Sequence, residues 1–289
     1  MPNLNTSILS ALPFLIPPSN IQENIAHILG TLDDKIELNR RMNETLETMA
    51  QALFKSWFVD FDPVIAKAAG KKPFGMSDEI AAFFPDKFVD SQIGPVPEGW
   101  RYTTLKESIK IFDSRRIPLN KRQRAERQGP YPYYGAAGIM DYVDDFLFDG
   151  IYVLTGEDGS VSDENGYPVV QYVWGQFWVN NHAHVLKGKN GVSDEQLYLF
   201  LEHTNIAAFV TGAVQPKLSQ KNLKAIPFLF SGEQVCIAFS VLVKPLFANV
   251  RANFNEITNL VSLRDTLLPK LLSGQIRLKE VEKLVSEAV

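Results

Sequence analysis

The chain has 289 residues, with 29 lysines and arginines against 33 aspartates and glutamates, for a formal net charge of −4. With 45% hydrophobic and 21% charged residues it is globular in composition, which excludes wholesale disorder, and its length allows one to three domains. The single cysteine, Cys236, excludes an intrachain disulfide and a multi-cysteine zinc site and fits a reducing compartment.

The longest strongly apolar run, Val235 to Val243, is too short to span a bilayer. Residues Met1 to Thr6 lack the basic and apolar regions of a signal peptide. The expectation is a cytoplasmic protein with no membrane partner. The acidic total excludes a coat of positive charge but not a local basic face for nucleic acid.

In chain order, residues 1–16 form a mixed stretch ending in a Pro-Phe-Leu run. Residues 17–62 predict a long helix from about Ser19 to Phe58, capped by Ser19 or Asn20 and stopped by Phe61-Asp62-Pro63. Residues 63–99 carry Gly70-Lys71-Lys72-Pro73, Pro85 and Gly94-Pro95-Val96-Pro97, and read as a linker with one short helix around Asp78 to Phe84. Residues 100–230 hold short β-rich runs such as Ile151 to Leu154 and Phe177 to Asn180, separated by Gly and Asp turns, and predict a mixed α/β domain. Residues 231–289 predict a second long helix from about Gly232 to Leu272, kinked at Pro245 and stopped at Ser273-Gly274, then a short helix from Leu278 to Ala288.

The two ends of the chain repeat each other at an offset of 214 positions. Pro2, Leu4, Leu9, Pro13, Phe14 and Leu15 meet Pro216, Leu218, Leu223, Pro227, Phe228 and Leu229. Further on, without a gap, Ile21, Ile25, Ile28, Leu32 and Ile36 meet Val235, Phe239, Leu242, Leu246 and Val250. Their spacings, mainly three and four, are those of a coiled-coil seam, with two helices packed on separate domains as the alternative reading. Asn39 and Asn253 coincide on this stripe, where an asparagine costs stability but fixes register.

Between Arg115 and Pro130, the cations Arg115, Arg116, Lys121, Arg122, Arg124 and Arg127 face a single acid, Glu126, and Tyr131, Tyr133 and Tyr134 follow at once. Guanidinium groups pair with phosphates or guanine edges, and tyrosines add stacking; a solvated loop reads equally well from such a run. Lys217, Lys221 and Lys224 form a second basic set. The acids from Asp141 to Glu164 include Asp149-Gly150 and Asp158-Gly159, which read as turns between strands rather than as a metal loop. His182 and His184 stand two apart, a zinc-compatible spacing without further ligands, so no metal is assigned. Cys236 falls on an apolar stripe and reads as buried and inert. Phosphate-loop, dinucleotide, amino-methyltransferase and nucleophile-elbow motifs are missing, so no catalytic residue is assigned.

These residues resemble the specificity subunits of type I restriction–modification systems. The marks are Leu32-Asp33-Asp34-Lys35-Ile36 through Phe54-Lys55-Ser56-Trp57-Phe58, Val96-Pro97-Glu98-Gly99-Trp100, Tyr133 to Ile139, Phe148-Asp149-Gly150, Gly156-Glu157-Asp158-Gly159, Gln215-Pro216-Lys217-Leu218, and Leu263-Arg264-Asp265 with Leu267 to Leu271. The resemblance implies an α+β fold, with one DNA target-recognition domain flanked by two long helices that pair as an antiparallel coiled coil. It implies a non-catalytic chain that reads one half of a split site in double-stranded DNA. It also implies docking to methyltransferase subunits using S-adenosylmethionine and to restriction subunits using ATP and Mg²⁺, with no cofactor on this chain.

Full members of that family carry two recognition domains. Here residues 1–16 match only the end of one, so the chain resembles a half-length or N-terminally truncated member that completes itself as a homodimer or with a second specificity polypeptide. Arg115, Arg116, Lys121, Arg122 and Arg124 are the candidates for phosphate contacts, Tyr131, Tyr133, Gln176, Asn180, His182 and Lys217 those for reading bases, and Arg127 and Lys221 complete the DNA-binding set. The alternative is a scaffold that does not read DNA, or an inactive truncated remnant, that only binds methyltransferase subunits.

Overall fold

Two helices of equal length carry the repeat. In a computed structural model, α1 spans Ser19–Phe58 and α8 spans Glu233–Leu272, 40 residues each and again 214 positions apart. The structure describes residues 5–6, 10–11, 16–91, 94–212 and 214–288. Most of the 1–16 stretch, and with it the match to the end of a recognition domain, lies outside the described residues.

The chain forms two units. One contains α1 up to Leu46 together with everything from Ala248 onward. Here α1 contributes Ile25, Ile28, Leu32 and Ile36, and α8 contributes Leu260, Leu267 and Leu271. The final helix, α9 (Leu278–Ala288), adds Val281 and Val285 to the same core. Contacts run in opposite chain directions: Asp33 meets Arg264 at 2.8 Å, Lys35 meets Glu256 at 3.3 Å, and Asn43 meets Asn253 at 2.9 Å. The pairing is therefore antiparallel. Asn39 and Asn253 are both buried on the seam but do not bond each other. Asn39 donates to Glu256, and Asn253 donates to Asn43, whose own amide reaches the Val250 carbonyl. The buried asparagines thus find their partners at one axial alignment of the two helices, which is how register is specified.

The other unit runs from Glu47 to Phe247. The end of α1 and the start of α8 enter it through an aromatic core of Phe54, Trp57, Phe84, Trp100 and Phe239. Trp57 stands edge-on to Phe84 at 4.9 Å, and Phe58 to Phe239 at 4.9 Å. Residues 63–99 are not a loose linker: α2 (Asp62–Ala68) and α3 (Asp78–Ala81) bury Val64, Met76, Ala81 and Phe84 in this core. The stop of α1 works through Phe61, which adopts a left-handed conformation (φ 58) and lets the chain turn straight into α2 at Pro63. No break occurs at Pro245, through which α8 runs continuously. By length and composition α8 could cross a membrane, as core helices also can; its apolar residues feed the cores of the two units.

Eight strands form two four-stranded sheets. The first has order β6-β5-β10-β7, from Ile139–Val143, Tyr131–Tyr134, Gln176–Val179 and Phe148–Asp149. The second has order β4-β11-β8-β9, from Ile109–Ile111, Ala183–Gly188, Tyr152–Gly156 and Val170–Val173. Strand β8 is buried along its whole length, and β11 along its first four residues. Helix α6 (Asp194–Glu202) packs on the second sheet, capped by Ser193, whose hydroxyl accepts from the Gln196 amide. The mixed α/β architecture expected for residues 100–230 is what forms.

Candidate nucleic-acid interface

The basic segment divides by what its neighbours offer each cation. Helix α5 (Lys121–Glu126) opens with a capping box, in which Asn120 and Gln123 satisfy each other's backbone amides. Its outward side carries Lys121 and Arg122. Lys121 is exposed with no partner among the described residues, and Arg122 pairs only with Glu126 one turn on, at 2.9 Å, its side chain 87% exposed. Arg115 is exposed, lies over the Phe148 ring at 4.7 Å and donates to the Leu147 carbonyl. Arg127 stacks on Trp178 at 4.9 Å and reaches Asp144 at 2.8 Å.

Arg116 and Arg124 are not available in the same way. Arg124 bonds Asp141 at 3.0 Å and the Leu119 carbonyl at 2.7 Å, and lies over the Tyr133 ring. Arg116 is 11% exposed and spans Glu157 at 2.9 Å, Asp113 at 3.5 Å and the carbonyls of Asp113, Asn181 and Ala183. Both hold the domain together. Tyr133 also departs from the expectation of base reading: it is 1% exposed, and its hydroxyl sits between the Leu119 amide and carbonyl. Burial is the largest influence on its phenol and pushes it above the ordinary range. Tyr131 is half-buried against Phe146, and Gln176 is exposed and donates to Asp149 at 3.2 Å.

Around Arg116 lies an ion cluster that the sequence did not single out. Asp113, Glu157 and His184 bring one ligand atom each within 4.8 Å of the others. Both ring nitrogens of His184 face oxygens, Asp113 at 2.6 Å and the Leu218 carbonyl at 2.7 Å. The ring is thereby clamped between a carboxylate and a backbone carbonyl. Asp113 also accepts from Val185 at 2.9 Å and from Gln220 at 2.6 Å. Burial drives the Asp113 carboxyl upward, but His184, Val185 and Arg116 outweigh it and hold it below the usual carboxylate value. The charge a metal would bring here is already delivered by the Arg116 guanidinium, so the cluster reads as structural. It fixes three loops at once, through Glu157 after β8, His184 at the start of β11, and Leu218 before α7 (Gln220–Ala225).

Those loops border an open cleft of about 500 Å³ lined by residues 136–140, Asp158, Gly159, Ser160, Asn180, His182 and Gln215. Gly156 lets its floor close: a Cβ there would lie 2.2 Å from the Ser160 carbonyl oxygen. Gln171 holds the carbonyls of Gly135 and Ala136 from below. On one rim, Thr211 and Lys217 exchange backbone hydrogen bonds of 2.9 and 2.7 Å and pin a loop bearing Gln215 and a fully exposed Val214. Lys217 is half-exposed and 3.6 Å from Glu157, while Lys221 is exposed with no partner among the described residues. The two histidines part company: His182 lies in the turn before β11 and pairs with Asp158, whereas His184 belongs to the cluster beneath. The Asp-Gly pairs are turns, with Gly150 and Gly159 at φ 110 and 75. Cys236 is fully buried, and burial raises its thiol above the ordinary range.

The family model described as the type I restriction modification DNA specificity domain matches residues 1–48 and 97–237. The chain belongs to that family. Among its relatives, the type I restriction enzyme HindI specificity subunit of Haemophilus influenzae is 28% identical over 95% of this chain and 71% of its own length. The MjaIX specificity subunit of Methanocaldococcus jannaschii is 26% identical over 97% of this chain and 64% of its own. A further H. influenzae protein, S.HindORF215P, is 40% identical over 43% of this chain and 31% of its own length. The crystal structure of a type I restriction–modification S subunit from M. genitalium shares the fold, with a TM-score of 0.57 at 18% identity over 88% of this chain and 61% of that one. The chain therefore spans between about a third and about 70% of these proteins.

Proposed function

We propose that this chain is a DNA-reading specificity subunit of a type I restriction–modification complex. In this reading the domain at residues 100–230 contacts one half of a split site in double-stranded DNA. The paired helices dock methyltransferase subunits and, through them, restriction subunits. The chain is non-catalytic, and S-adenosylmethionine, ATP and Mg²⁺ are used by its partners. The observation that carries the reading is the match to the DNA specificity family across the recognition domain, on which Lys121, Arg122 and Lys221 stand exposed and which carries a cleft lined in part by Asp158, Asn180, His182 and Gln215. Cations so placed hold phosphates and set the salt dependence of binding; the cleft and its rim supply the groups able to read base edges.

Completion of the site by a second copy or by a separate specificity polypeptide is part of the proposal. Two copies related by a two-fold axis place identical domains on the two halves of a palindromic split site. The test is a methylated-base map of DNA from cells expressing this chain with its companion methyltransferase subunit. A symmetric split motif supports two copies acting together, and an asymmetric one supports a separate partner. No motif, together with no sequence preference of the purified chain for duplex DNA, overturns DNA reading in favour of a scaffold.

A further inference from the structure

The cleft holds two polar groups that the domain itself does not use up. Asn180 is 3% exposed, and its Oδ1 accepts from the His182 amide at 2.8 Å. Among the described residues, its Nδ2 meets one acceptor, the thioether of Met140 at 3.2 Å. Sulfur of that kind is a weak acceptor, so a buried amide donor lacks an oxygen or nitrogen partner. His182 is half-exposed, its Nδ1 is held by the Asp158 carboxylate, and its Nε2 has no partner among the described residues. In the tautomer that directs the Nδ1 proton at Asp158, Nε2 carries the lone pair and is an acceptor. The cleft thus presents a donor and an acceptor from residues two apart in the chain.

In the major groove, adenine sets the N7 acceptor beside the N6 amino donor, whereas guanine presents two acceptors, N7 and O6. We propose that this cleft reads an adenine edge, with Asn180 Nδ2 donating to N7 and His182 Nε2 accepting from the N6 amino group. Asp158 is the positioning residue that fixes the tautomer of His182. A guanine would set O6 against the His182 lone pair and is disfavoured for that reason. Val214 and Gln215 on the rim and Lys217 beside it suit the approach of a duplex, since an exposed apolar tip can meet a thymine methyl and a lysine a phosphate. The inference rests on the DNA-reading proposal above.

The test is enrichment of bound duplexes from a random-sequence library by the full chain and its variants, each checked for folding by its thermal transition. The wild-type chain is expected to enrich a motif with adenine at one position that His182→Ala relaxes, lowering adenine-over-guanine discrimination there about tenfold while other positions keep theirs. Asn180→Asp, which turns the donor into an acceptor, loses the same position. Asp158→Asn relaxes it more weakly, a result that keeps the test informative if Asn180→Asp fails to fold. The inference is overturned if His182→Ala and Asp158→Asn enrich the wild-type motif unchanged. A loss of affinity equal for all sequences also overturns it, because the cleft would then hold backbone. Both results leave DNA reading standing. A wild-type chain that enriches no motif, where the methylated-base map also shows none, removes DNA reading itself.

Discussion

Arg116 and Arg122 stand six residues apart in one basic run and have opposite fates. Arg116 lies between Asp113 and Glu157, carboxylates brought from the ends of β4 and β8, the strands on either side of β11, and is almost enclosed. Arg122 sits on a solvent-facing turn of α5, and its acid, Glu126, is local. The difference teaches that a cation's role depends on which acids the fold delivers to it. A guanidinium claimed by buried carboxylates is structure, and one left with a screened surface pair can still serve a polyanion.

The strongest challenge to this comparison is Arg116→Ala, which leaves Asp113 and Glu157 short of their cation and is expected to cost about 3–5 kcal/mol in urea unfolding. Arg124→Ala, a half-way case that loses Asp141 and the Leu119 carbonyl, is expected to cost about 1–3 kcal/mol. Arg122→Ala should stay within about 0.5 kcal/mol of wild type. An Arg122 variant as unstable as the Arg116 variant would end the distinction.

Acid sharpens it further. The Asp113 carboxyl lies below its ordinary value of 3.8, so its contribution to stability is present above that value and is lost as pH falls through the lower folded value. The urea midpoint should therefore drop on acidification below about pH 4, and Asp113→Asn, less stable at neutrality, should show a flatter decline. At the other extreme, burial raises the phenols of Tyr133, Tyr134 and Tyr198. Their contribution is complete below the ordinary tyrosine value near 10 and lost as pH rises beyond it, so alkaline unfolding above about pH 10 is expected by absorbance at the tyrosinate band. The smallest effect is on DNA: Lys121→Ala and Arg122→Ala should each lower the slope of log affinity against log salt by about one, with thermal stability unchanged.

Much of this was legible in the sequence where the signal is local or repeated. Both long helices are legible because a seam written twice, with Pro-Phe-Leu entries and paired asparagines, leaves little freedom in period or boundary. Residues 63–99 mislead because their Gly and Pro punctuation is real, while the burial of Val64, Met76 and Phe84 depends on aromatics contributed by α1 and α8. The candidate site was half legible. Asn180, His182 and Lys217 fall in or beside the cleft, but Tyr133 reads like its neighbours until β5 turns it inward. Nothing in the run from Arg115 to Pro130 says that Arg116 will find Glu157 41 residues later. The available hint was the Gly156-Glu157-Asp158-Gly159 turn, whose acids read as part of a turn between strands and in the fold divide between the cluster and His182.

The antiparallel seam has a consequence for folding order. Asn43 and Asn253 are 210 residues apart in the chain, and closing so long a loop directly costs on the order of 5 kcal/mol of chain entropy before any contact repays it. Phe54, Trp57, Val235 and Phe239 share the core of the domain that interrupts the helices, and with that core formed the loop left to close is only a few turns of helix. The domain can thereby serve as a clasp for the seam, and a substitution that slows formation of the aromatic core is expected to slow the seam with it, as stopped-flow refolding would show.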